Sequence, residues 1–355
     1  MLRFYKGSIL FTLACLAMAV AYGWMQTGTA SGTMSLVWIV FVLSILEVSL
    51  SFDNAVVNAA VLEDMDGVWQ QRFLTWGMVI AVFGMRIVFP LAIVAIAAGL
   101  GPVEAMKLSL NDPKRYEEIV SSAHVGIAGF GGAFLAMVGL SFFFDGEKEV
   151  HWIKWIEEKL AVVSNIKAAE IALLLLALYG MTFLLPEDEG MTFLVAGVLG
   201  LVTFIGVEAL GTILEMRDEA QKAAGLVVRS GLGGFLYLNV LDASFSFDGV
   251  IGAFALSNNM VIIALGLSIG AMFVRSMTIM LVQKGTLSEY RYLEHGAFWA
   301  IIALAAIMLL SAKFHIPETV TGLIGAALIG LSLWWSIRHK RKYPDAELDA
   351  AVRAD

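Results

Sequence analysis

Apolar runs of about 18–25 residues recur along this chain, and each is long enough for a helix to cross roughly 30 Å of hydrocarbon. A lipid-embedded backbone must satisfy its own N–H and C=O groups, so such runs fold as helices or not at all. They do not alternate in ten-residue strands, which sets an outer-membrane barrel aside. Ten spans are expected, at 8–25, 34–58, 74–100, 122–144, 168–185, 191–214, 231–256, 260–283, 296–312 and 318–337. The first has Arg3 and Lys6 ahead of it, as a signal peptide would. Its apolar stretch is longer than the usual 7–15 residues and lacks an A-x-A site, so it reads as a span. Composition agrees: of 355 residues, 59% are hydrophobic and 15% charged, against about 25% charged in soluble chains.

The basic residues orient the spans. Seventeen of the 23 Lys and Arg fall on the side of the N-terminus, and four (Lys107, Lys114, Arg115, Lys313) on the other; Arg86 and Arg275 lie within spans. The positive-inside rule then places both termini in the cytoplasm of a multi-pass protein of the cell inner membrane. Scattered as membrane flanks, the same residues give no support to nucleic-acid binding. The segment 145–167, with Trp152, Ile153, Trp155, Ile156 and Leu160 among charges, reads as a helix on the cytoplasmic surface.

Two spans carry nearly the same phrase. Residues 47–54 read Glu-Val-Ser-Leu-Ser-Phe-Asp-Asn and residues 242–249 read Asp-Ala-Ser-Phe-Ser-Phe-Asp-Gly, at an offset of 195. Each half then supplies an arginine in the next span (Arg86, Arg275) and a histidine before a later one (His124, His295). The copies lie five spans apart, so they cross the membrane in opposite senses, the inverted repeat of secondary transporters. The expected architecture is therefore all-α: a first transmembrane repeat over 1–185, which includes the surface segment 145–167, a second over 186–337, and a cytoplasmic tail over 338–355.

A carboxylate at the bilayer centre costs about 2.5–3.5 kcal/mol on insertion scales. Glu47, Asp53, Asp242 and Asp248 therefore need partners. Structural ion pairs with Arg86 and Arg275 are one reading, but four acids against two arginines leave negative charge that a bound cation would neutralise. The neighbours offer oxygen: Ser49, Ser51, Asn54 and Asn58 in the first copy, Asn239, Ser244 and Ser246 in the second. Oxygen ligands suit Mn²⁺, Mg²⁺ or Ca²⁺, and the single cysteine, Cys15, rules out a thiolate cluster. The expected metal residues are Glu47, Asp53, Asn54, Asp242 and Asp248, with Ser51 and Ser246 auxiliary and Arg86 and Arg275 as counter-ions or gates. On a regular helix Glu47, Ser51, Asn54 and Asn58 share one face while Ser49 and Asp53 share another. Gly249 and Gly252 would let the second copy unwind so that both faces serve one site. Glu47 and Asp242 are expected to face each other at mid-membrane, with Asp53 and Asp248 about 9 Å further along, toward opposite sides. Glu170 and Glu208 are weaker candidates for the path, and His124 and His295 are expected at the interface.

The motifs resemble those of the TerC family of integral membrane proteins, associated with tellurium resistance, which includes manganese exporters and is grouped with the lysine-exporter superfamily. Glu47-x-x-Leu50-Ser51-x-Asp53-Asn54 is similar to its first motif and Asp242-x-x-Phe245-x-x-Asp248 to its second. Many members continue the second with Ser-Ile-Pro-Ala, where this chain has Gly249-Val250-Ile251-Gly252-Ala253, as a divergent branch would. The resemblance implies export of Mn²⁺ as substrate, with no permanently bound cofactor, through Glu47, Asp53, Asn54, Asp242 and Asp248. A non-transporting scaffold that aids metal delivery or membrane insertion is the alternative. Partners are then the bilayer and the divalent ion, with homo-oligomers or other membrane proteins left open. Enzymatic activity is not expected: neither Asp53 nor Asp248 follows the Gly-x-Gly-Asp pattern of intramembrane aspartyl proteases.

Overall fold

The computed structural model describes residues 2–342 except 64, 78, 147, 149, 164–167, 224–230, 255, 286–288 and 315. The end of the tail, 343–355, and parts of the 145–167 segment thus lie outside the described residues. Among the described residues there are helices and no strands. Among these residues eight helical stretches are long and apolar enough to cross a membrane, as in a polytopic helical membrane protein. They begin with α1 (Leu2–Thr27) and α2 (Ala30–Leu50), joined by a tight turn at Gly28. Then come the irregular stretch Gly67–Ile96, α8 (His124–Phe143), the apolar part of α11 (Glu187–Ala223), and α13 (Met260–Gln283). Last are α14 (Leu293–Ser311) and the apolar part of α15 (Glu318–Lys342). The other two expected spans correspond to α10 (Ala169–Thr182), a shorter apolar helix, and α12 (Leu232–Phe254), which carries the second motif.

Three local departures from regular spans position the site. The second span is two helices: α2 ends at Leu50, Ser51 takes φ −102° and ψ 18°, and α3 (Phe52–Glu63) resumes. The third opens with α4 (Gly67–Arg72), passes through π-helical segments Phe73–Gly77 and Ile80–Val88, and ends in α5 (Phe89–Ala97). Between it and α8 lie two helices unforeseen in the sequence, α6 (Pro102–Asn111) and α7 (Pro113–Ser122). Each has proline in its first turn, where a missing N–H costs nothing, and Asp112 caps α7 by accepting from Arg115 N–H at 3.3 Å.

Small residues set how closely the helices approach. On α8, a β-carbon at Gly131 or Gly132 would strike Met308 or Leu309 of α14, and one at Gly129 would lie 2.6 Å from the Phe193 carbonyl of α11. On α13, Gly266 and Gly270 sit against Leu43 and Glu47 of α2. Without a hydrophobic driving force in lipid, this close packing is what holds helices together. α8, α13 and α14 are the most enclosed of the spanning helices, and the others expose broad apolar faces.

Candidate functional site

Glu47 lies one turn before the bend, inside the protein at 3% exposure. Two donors reach its Oε1: an Arg86 guanidinium nitrogen, forming a buried ion pair, and Ser51 Oγ at 3.2 Å. Arg86 stands in the π-helical stretch, and its second terminal nitrogen donates to the Ala81 carbonyl, five residues back, at 2.7 Å. A π-helix widens the turn and moves carbonyls out of the regular i−4 ladder, and such segments recur at functional sites. Here it lets one side chain bond its own helix and a carboxylate 39 residues away.

The second motif runs alongside. The backbone at Gly249 approaches Glu47 so closely that a β-carbon there would lie 2.9 Å from Oε2. At the other end of the pairing, Asn58 Nδ2 donates to Asp242 Oδ1 at 2.9 Å. Residue 47 is thus level with 249, and 58 with 242, so α2–α3 and α12 pack antiparallel. This register differs from the expectation that Glu47 and Asp242 face each other: Glu47 lies beside Gly249, and Asp242 beside Asn58, past the end of the first motif. It also corrects the role expected of the glycines, for α12 is continuous through Gly249 and Gly252 and the bend falls at Ser51 of the first copy. Gly249 serves close approach instead.

Between these helices and α13 lies a cavity of about 50 Å³. Ser51, Asn54, Asn58, Arg86, Asp242 and Ser246 supply its polar lining, with Arg275 and Thr278 from α13. A water needs roughly 10–15 Å³ by the same measure, so the space admits an ion with a few waters. Asn58 Oδ1, Ser246 Oγ and the Nε atoms of Arg86 and Arg275 are buried with no hydrogen-bond partner among the described residues. Buried polar atoms rarely stay unpaired, so their capacity is directed to whatever occupies the cavity. Arg275 has no ion pair among the described residues, so the symmetric pairing of one arginine per motif is seen only in the first copy. The side chains of Asp53 (in α3) and Asp248 (in α12) lie outside the described residues. Among the described residues no three His, Cys, Asp or Glu side chains form a metal-ligand group by themselves.

Other candidates fall elsewhere. Ser49 is on the outer face, donating to the Ile45 carbonyl at 2.8 Å, and Asn239 and Ser244 donate to carbonyls of their own helix. Glu208, exposed on α11, and Glu170 on α10 do not line the cavity. His295, in the first turn of α14, is buried within the protein, with Nε2 2.7 Å from the Val150 carbonyl and 3.6 Å from Glu157. Glu157, on α9 (Lys154–Val163), was not singled out in the sequence, because a glutamate in a charged amphipathic stretch reads as solvated. Yet it is 2% exposed and accepts from Trp152 N–H, Ile153 N–H and Trp299 Nε1 at 2.9, 3.1 and 2.9 Å.

The fold and site thus define a polytopic helical membrane protein with a charged, oxygen-rich cavity between two antiparallel motif helices. The chain belongs to the family described as Protein of unknown function (DUF475), whose model matches residues 52–343. That match includes Asp53, Asn54, Arg86, Asp242, Asp248 and Arg275, and begins just after Glu47. No curated protein and no solved structure matches the chain.

Proposed function

We propose that the protein carries a hard divalent cation across the membrane, Mn²⁺ foremost and in the direction of export, through the cavity beside Asp242. One observation carries the reading: two buried oxygens without partners among the described residues, Asn58 Oδ1 and Ser246 Oγ, share with Asp242 a cavity whose described lining holds no sulfur or imidazole. Carboxylate, amide and hydroxyl oxygens are the donors of Mn²⁺ and Mg²⁺ and poor ones for copper. Arg86 is engaged by Glu47, so the charge that attracts a cation comes from Asp242 with Asp53 and Asp248 on the same two helices. The TerC resemblance of both motifs and their antiparallel packing support a pseudo-symmetric pathway, with access alternating between the two faces. In this reading the chain sits in the inner membrane with both termini cytoplasmic, and Arg275 is the tethered counter-charge of the cation-free site.

Expression in a manganese-sensitive host tests it. Wild type should protect, and Asp53→Asn or Asp248→Asn should abolish protection at unchanged membrane abundance. Full protection by both variants would sink the assignment, and protection without any cation movement would favour the scaffold.

A further inference from the structure

At the end of the bundle that carries the surface segment, tryptophans and cations gather on α9 and α15. Glu157 turns the inner face of α9 toward α14 through its bond with Trp299 Nε1 and its contact with His295. That leaves Lys154, Trp155, Glu158 and Lys159 on the outer face, with Trp155 68% exposed. Just before α9, Trp152 packs edge-on to Trp335 of α15 at 6.1 Å, and Trp334 and Trp335 pack at 5.4 Å. Cations cover the exposed rings: Arg338 lies 5.6 Å from the centre of Trp334, and Lys159 5.4 Å from that of Trp155. Lys340 is taken up by Glu289 at 3.4 Å. Lys154, Lys159, Arg338, Arg341 and Lys342 are exposed on these two helices, where Glu158 is the one exposed acid among the described side chains.

We propose that this face, α9 together with the last turns of α15, is a docking surface for the headgroups of anionic phospholipids. Tryptophan settles at headgroup level, and basic clusters at the end of a membrane helix attract anionic lipid. A soluble phosphate would use the cations alone. The exposed tryptophans instead continue the apolar flank of α15, where Leu323 and Leu331 are exposed, so the surface is apolar below and cationic above, as a bilayer interface requires. The proposal does not depend on what the cavity carries.

Purified full-length protein in phosphatidylcholine vesicles, titrated with brominated phosphatidylglycerol or brominated phosphatidylcholine, reads it through tryptophan quenching. Wild type should be half-quenched at about fivefold lower mole fraction of the anionic lipid. Replacing Lys154, Lys159, Arg338, Arg341 and Lys342 with glutamine, or adding about 0.5 M salt, should bring the two lipids to parity. The triple variant Trp155→Phe, Trp334→Phe, Trp335→Phe should remove most of the difference between the two lipids, while Trp24, Trp38 and Trp76, exposed on the spans, stay quenched by both. Equal quenching of wild type by both lipids overturns the proposal, and so does loss of the preference on adding millimolar glycerol phosphate.

Discussion

Glu47 and Arg86 bury opposite charges against each other, with side-chain exposures of 4% and 8%. Removing one partner from a buried pair leaves the other uncompensated and costs about 3–5 kcal/mol, whereas replacing both is far milder. Arg86→Met should therefore lower the thermal midpoint in detergent markedly, and Arg86→Met with Glu47→Gln should recover most of it. A double variant as unstable as the sum of its singles would show that the charges are not what matters. The acids and arginines were legible in the sequence because ionisable residues in apolar runs stand out. Which acid takes which arginine was not, since that depends on the register between helices. Asn58, a mere neighbour in the sequence, proves to be the residue that holds Asp242.

Hydropathy reads helices well and their irregularities poorly. The limits of α8, α13 and α14 are close to those expected, because nothing inside them interrupts the ladder. The bend at Ser51 has no proline to announce it, whereas Pro90 follows the π-helical turns around Arg86 and withholds the N–H that would bond the Arg86 carbonyl, while the Arg86 side chain takes the Ala81 carbonyl. Glycine was legible as close packing on α8, but its use on α13 shows only once Glu47 is in place. A methyl group at Gly270 would run into the Glu47 side chain, so Gly270→Ala should destabilise by about 1–3 kcal/mol and impair the site. Gly330→Ala, with nothing within 4 Å, should be neutral or slightly stabilising in the same melting assay. The surface segment carries its own pH dependence. Burial against Phe142, Phe143 and Phe298 pushes Lys148 down to about 7 from 10.5, although Glu294, Glu157 and Asp145 oppose the shift; His151 and His295 also face this cluster. The undocked lysine thus holds a proton that the docked one has lost between those values, so docking strengthens as pH rises from about 7 toward 10.5 and is weakest, with no further change from this lysine, below about 7. A spin label at Glu158→Cys, in a Cys15→Ala background, should be more mobile at pH 6 than at pH 9, and Lys148→Met should flatten the difference.

At the scale of the molecule, the two copies of the motif lie side by side and antiparallel, with 47 level with 249 and 58 level with 242. Repetition in the sequence pointed to two related helices that belong together, but it could not show the register in which they pack. Arg86 and Arg275 reach the cavity from different helices. In the proposed transport cycle the ion passes from one acid to the next without all four carboxylates meeting at one point. Flux decides whether it does. Protein reconstituted in vesicles loaded with a manganese-quenched dye should admit Mn²⁺ down its gradient, with Asp242→Asn and Asp248→Asn reduced at least about tenfold and empty vesicles silent. Wild-type vesicles no more permeable to Mn²⁺ than empty ones, with the protein folded and inserted, would contradict the account.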